Sequence, residues 1–160
     1  MSESKFDIEQ VSLISISIVS AALENKSALT TIDDPALELA FRYQLDPGVN
    51  IQSRRAQILA DYEIRAFKSE SEEPEITSRY KIAFIFSISN LADLVTITED
   101  ELNDVDEETL ASLLNIVYST SRGILYTRFL GTVLEGVILP IISTTDLNRQ
   151  SAIKRIPTKK

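Results

Sequence analysis

Residues Gln57–Phe67 read QILADYEIRAF. Ile58, Ala60, Tyr62, Ile64 and Ala66 share one parity, and Asp61, Glu63 and Arg65 share the other. Apolar and polar side chains alternating with period two mark a strand with one face in a core and one in water. Three other stretches repeat the pattern. In Val11–Leu23, Ile14, Ile16 and Ile18 alternate with Ser15 and Ser17. In Ala36–Leu45, Leu37, Leu39, Phe41, Tyr43 and Leu45 share a face. In Arg79–Leu91, Tyr80, Ile82, Phe84, Phe86 and Ile88 do so.

The connectors decide how these strands pair. A crossover containing Asp33, Asp34 and Pro35 joins the first two. Asp46-Pro47-Gly48-Val49-Asn50 is a turn signal, and Ser69–Ser78 is an acidic loop containing Pro74. None is long enough to carry a crossover helix, so the strands are expected to form an antiparallel sheet.

The period changes after Leu94. Thr98–Glu108 holds seven carboxylates in eleven residues, and Thr98 with Glu101 fits a capping box for one short turn of helix. Asp106 is placed as the N-cap of a long helix, with Glu107 and Glu108 at its positive end. This helix is expected over residues 107–134 and is stopped by Gly136. The sequence thus reads as one α+β domain over residues 1–160: a four-stranded antiparallel sheet followed by a long helix packed on one face. Residues 98–108 form an acidic loop. The basic tail, 149–160, is expected to fray.

Leu110, Leu114, Val117, Ile124 and Leu125 give this helix one apolar face, and Leu113, Ile116, Leu130 and Leu134 widen it. A helix apolar on more than one side needs more than one cover. Ser119, Gly123, Thr127 and Gly131 recur every four residues as a stripe of small side chains. Two readings stay open: the stripe admits a second helix in an oligomer, or it accommodates the chain's own sheet.

Composition excludes whole classes of chemistry. Histidine and cysteine are both absent from the 160 residues. That removes the commonest general base, the usual zinc ligands and every Ser-His or Cys-His nucleophile. The four glycines stand singly, so no phosphate-binding loop is formed. Residues from Asp104 onward begin like a calcium loop, but Thr109 replaces its glycine and Asn115 its final glutamate. No catalytic residue, metal site or cofactor is expected. The net charge of −8 opposes nucleic acid and anionic lipid. Met1–Gln10 lacks the apolar run of a signal peptide, and no stretch is long enough to insert in a membrane. A cytoplasmic protein is expected, and the lack of cysteine suits a reducing compartment.

Three motifs carry a family resemblance. Ser87-Ile88-Ser89-Asn90-Leu91 ends the fourth strand. Leu113 through Leu125 places Arg122 inside the most apolar helix. Gly136-Val137-Ile138-Leu139-Pro140 follows it. In element order over roughly Val11–Leu147, and in Arg122, Gly136 and Pro140, the chain resembles the SecB family of protein-export chaperones and their SecB-like relatives. The resemblance implies a dimer of dimers whose long helices lie between two sheets. It also implies binding of unfolded polypeptides without ATP, for export or for a dedicated client such as an antitoxin.

The resemblance further implies that the crossover loop (Leu29, Ile32) and the segment after the helix (Ile138, Ile141, Ile142) border the client groove. Ser119, Gly123, Thr127 and Gly131 would then lie at the oligomer interface. Exporting members dock the translocation motor on an acidic outer sheet face. Here Asp61 and Glu63 stand beside Arg42, Arg65, Arg79 and Lys81, which counts against that partner. A small apolar-ligand carrier and an acidic type III secretion-type chaperone are the alternatives.

Overall fold

The computed structural model describes residues 6–29, Ile32, 37–97, 103–143, Asp146 and 154–157. Four long strands build the sheet: β1 (Val11–Asn25), β2 (Leu37–Asn50), β3 (Arg55–Lys68) and β4 (Pro74–Ile88). All pair antiparallel, in the order β1-β4-β3-β2. A one-turn helix α1 (Leu91–Leu94) leads to two short paired strands, β5 (Val95–Ile97) and β6 (Asn103–Val105). The long helix α2 follows (Glu107–Arg128). Thr98 and Glu101, the expected capping box, lie outside the described residues.

Alternation set the two faces of β2, β3 and β4 correctly. Ile58, Ala60, Tyr62, Ile64 and Ala66 are buried, as are Leu37, Leu39, Phe41, Tyr43 and Leu45 from β2 and Ile82, Phe84, Phe86 and Ile88 from β4. The cross-strand row Tyr43, Tyr62, Tyr80, Ala21 runs across this inner face. Each buried Phe, Leu or Ile contributes roughly 1.5–3 kcal/mol relative to exposure. The outer face carries ion pairs instead: Glu63 with Arg65 and Arg79, and Asp61 with Lys81.

Several boundaries differ from the sequence expectation. Asp46–Asn50 is not a turn; β2 continues through it and the turn falls at residues 51–54. Pro47 is tolerated there because this part of β2 has no strand on its outer side among the described residues, and edge strands admit proline. The acidic loop after β3 shrinks to residues 69–73, because Pro74 opens β4.

In β1 the register shifts between Leu13 and Ser15 and again between Ile18 and Ser20. Ile14 therefore sits in a bulge and does not share one parity with Ile16 and Ile18. The basic tail supplies another difference. Where fraying was expected, β7 (Lys154–Pro157) pairs antiparallel with Glu38–Phe41 and covers part of an otherwise open sheet edge.

α2 also ends early, at Arg128 rather than residue 134. Leu130 N–H bonds to the Thr127 carbonyl in a tightened last turn, and Gly131 takes φ +73°. A left-handed glycine just past the last turn is a usual helix stop. Gly136, expected as that stop, has φ +86° but closes the irregular turns that follow. Phe129, Val133 and Leu134 in those turns are buried, so part of the apolar surface attributed to the helix belongs to the chain after it.

Candidate polypeptide-binding surface

The Asp106 side chain caps α2 as expected, accepting from the Thr109 N–H at 3.1 Å and the Thr109 hydroxyl at 3.0 Å. Thr109, Leu113, Leu114, Val117, Tyr118, Ser121 and Leu125 form the buried stripe. The ring of Tyr118 meets Tyr43 of β2 edge-on at 5.5 Å and Tyr62 of β3 at 6.1 Å. Farther along, the ring of Phe129 meets Tyr80 of β4 at 6.0 Å. Helix and turn thus cross the inner face from β2 toward β4. Burial raises the Tyr62 hydroxyl well above its ordinary pKa, with Ser121 opposing only in part, and burial likewise raises Tyr118 and Tyr43.

The chain then returns along α2 without joining a sheet. Arg122 Nε donates to the Leu139 carbonyl at 2.9 Å, and the Tyr118 hydroxyl donates to the Pro140 carbonyl at 2.8 Å. The Tyr43 hydroxyl donates to the Asp146 carbonyl at 3.2 Å. Three side chains therefore supply hydrogen bonds that a sheet partner would otherwise give. Arg122 is the charge that looked out of place in the apolar helix, and a backbone carbonyl is its partner.

Held this way, residues 137–142 divide by direction. Val137, Leu139 and Ile142 are buried, whereas Ile138 is 52% exposed and Ile141 81%. The crossover loop divides similarly. Leu29 is half-buried; its N–H donates to the Asn25 side chain, whose amide donates back to the Leu29 carbonyl. Ile32 is buried in the core. Of the five groove residues expected from sequence, Ile138 and Ile141 offer open apolar surface and Leu29 a partial one. Ile32 and Ile142 pack inward as part of the core.

The small-residue stripe separates in the same way. Ser119, Gly123 and Thr127 are exposed on the side of α2 away from the sheet, and a Cβ added to Gly123 would meet nothing. They do not accommodate the chain's own sheet. Gly131 lies in the turn beyond the helix and is not part of the stripe.

A further surface escaped the sequence reading. β1 is the outermost strand, and Leu13, Ile14, Ile16, Val19 and Leu23 along it are exposed. Its far edge has no strand partner among the described residues. The signal was present: no charge or proline interrupts Val11–Leu23, the devices that usually guard an edge.

No family model matches the chain, and no curated protein sequence matches it. A solved structure does: the Mycobacterium tuberculosis Rv1957 SecB-like chaperone, in complex with a ChAD peptide from the Rv1956 HigA1 antitoxin. The two are 12% identical and superpose with a TM-score of 0.57, over 84% of this chain and 92% of that one. The chain has the fold of a SecB-like chaperone. The four antiparallel strands followed by a long helix are the elements that the sequence resemblance implied. Within this SecB-like fold no described helix is long and apolar enough to cross a membrane.

Proposed function

We propose that the protein is a holdase: it binds unfolded segments of other polypeptides without nucleotide and catalyses no reaction. The observation that carries this is the pair Ile138 and Ile141, exposed on an extended segment fixed by side-chain hydrogen bonds. Open apolar side chains on a rigid backbone bind apolar segments with little ordering cost and little sequence preference. The net charge of −8 keeps such complexes soluble.

A dedicated client is favoured over general export. The Rv1957 SecB-like chaperone, which has the same fold, was solved with a peptide from an antitoxin. The outer sheet face also mixes basic with acidic charge, Asp61 and Glu63 being paired with Lys81, Arg65 and Arg79, which counts against a translocation motor. A carrier of small apolar ligands is disfavoured, because α2 and residues 129–142 fill the inner side of the sheet.

The working unit in this reading is a cytoplasmic dimer of dimers. A second copy would cover the open side of α2 at Ser119, Gly123 and Thr127 and the apolar edge of β1. The test is dilution of chemically denatured proteins into buffer with and without the chain. Suppressed light scattering without ATP supports a holdase. Protection of a single client supports the dedicated form, and equal aggregation of every client refutes both.

A further inference from the structure

We infer that Arg122 and Tyr118 are positioning residues for client binding: their two hydrogen bonds set the twist of residues 137–142, so that Ile138 and Ile141 face outward together. The inference rests on the holdase reading and names the side chains that make its surface. Residues 118 and 122 are neighbours one turn apart on the same helix face. The carbonyls they hold belong to adjacent residues, Pro140 and Leu139, in reverse order. Two fixed points on consecutive carbonyls determine the rotation of an extended chain about its own axis. That rotation decides which side chains point into the core, and with both bonds made Leu139 and Ile142 are buried while Ile138 and Ile141, likewise three residues apart, are not.

The donors are built for this task. Tyr118 is wedged between Tyr43 and Tyr62, so its hydroxyl has little freedom to move. Arg122 bonds through Nε, near the root of the guanidinium, which leaves the rest of the fork free. Pro140 stiffens the segment between the two outward side chains. A surface prepared in this way loses little entropy when a client arrives.

The experiment compares the full chain with Tyr118→Phe plus Arg122→Met. Phenylalanine keeps the ring packing and methionine much of the aliphatic stem, so the core should survive. Amide hydrogen exchange is read at residues 138–142 and in the β3–β4 core. Affinity is read with a fluorescent, reduced and alkylated model protein that cannot fold. Exchange at the buried Leu139 and Ile142 should rise on the order of tenfold, because the segment opens more often once its two anchoring bonds are gone, with core exchange unchanged. Affinity should fall by a similar factor.

Arg122→Lys, which keeps a donor, should recover part of both effects. Unchanged exchange in the segment overturns the inference. So does faster exchange with undiminished affinity, provided Ile138→Ser plus Ile141→Ser does weaken binding. If the parent itself fails to bind the probe, the holdase reading falls, and exchange alone decides whether the two donors fix the segment. Should the double variant not fold, Tyr118→Phe alone carries the same comparison.

Discussion

Tyr118 and Arg122, one turn apart on α2, hold the consecutive carbonyls of Pro140 and Leu139. A polar pair inside an apolar helix thereby anchors a segment that no strand supports. Its inward side chains belong to the core and its outward ones do not, so substitutions at adjacent residues should have different consequences.

Ile142→Ala removes a buried side chain and should cost roughly 2–5 kcal/mol. Ile138→Ser with Ile141→Ser changes side chains already in water and should stay within about 0.5 kcal/mol of the parent. Urea unfolding followed by circular dichroism checks the contrast. Equal destabilisation would show that Ile138 and Ile141 are packed in solution.

Gly123 separates the free chain from the assembled one. Its position is helical and open, so Gly123→Ala in an isolated protomer should stabilise the helix by roughly 1 kcal/mol. Gly123→Leu should lower the mass of the native particle if a second copy packs there. Static light scattering reads this directly. A parent that is already a 17.9 kDa monomer at micromolar concentration would refute the oligomer.

The β1 edge makes an independent prediction about assembly. Val19 is 57% exposed at a bulge, so Val19→Lys should leave the fold intact while guarding the edge. Sedimentation velocity should show smaller particles than for the parent. An unchanged distribution would assign the edge to solvent.

Acid should weaken the sheet through Glu63. Burial raises its pKa, but the hydrogen bond from Arg79 and the charge of Arg65 outweigh this, and the net shift is downward from 4.5. A carboxylate with a depressed folded-state pKa stabilises the fold above its unfolded value. That contribution is lost as pH falls below about 4.5 through the folded-state value. Glu63→Gln should therefore flatten the acid limb of stability against pH. An identical limb in both proteins would refute the assignment.

Alkali should act on the tyrosines. Burial raises Tyr62, Tyr118 and Tyr43 above their ordinary value of 10.0, so the fold favours the protonated hydroxyls. Their contribution is complete below pH 10 and lost as pH rises past it. Tyrosinate absorbance should develop together with loss of ellipticity. Ionisation of every tyrosine in a still folded chain would contradict the burial of this cluster.

Much of the architecture was legible because it depends on local pattern. Alternation in β2, β3 and β4 fixed which side chains enter the core, and Asp106 marked the start of α2 through the chemistry of its cap. The end of the helix was not legible. Gly131 and Gly136 both offer a left-handed stop, and only the packing of Phe129 and Leu134 against the sheet selects the first. The groove residues divided for a similar reason. Composition marked Ile138, Ile141 and Ile142 as equally apolar, but their direction follows from side-chain bonds to Leu139 and Pro140, which span 17 and 22 residues. Strand order was hidden as well. Nothing local says that β1 is outermost, although its lack of guarding charge is consistent with an edge awaiting a partner.

The most direct measurement is the affinity of the fluorescent, permanently unfolded polypeptide for the parent and for Ile138→Ser plus Ile141→Ser, without nucleotide. Micromolar or tighter binding by the parent, weakened on the order of tenfold in a variant of unchanged stability, is the expected result; losing two buried apolar contacts accounts for that factor. Equal affinity for both proteins, or no binding by the parent, would contradict a polypeptide-binding surface at Ile138 and Ile141.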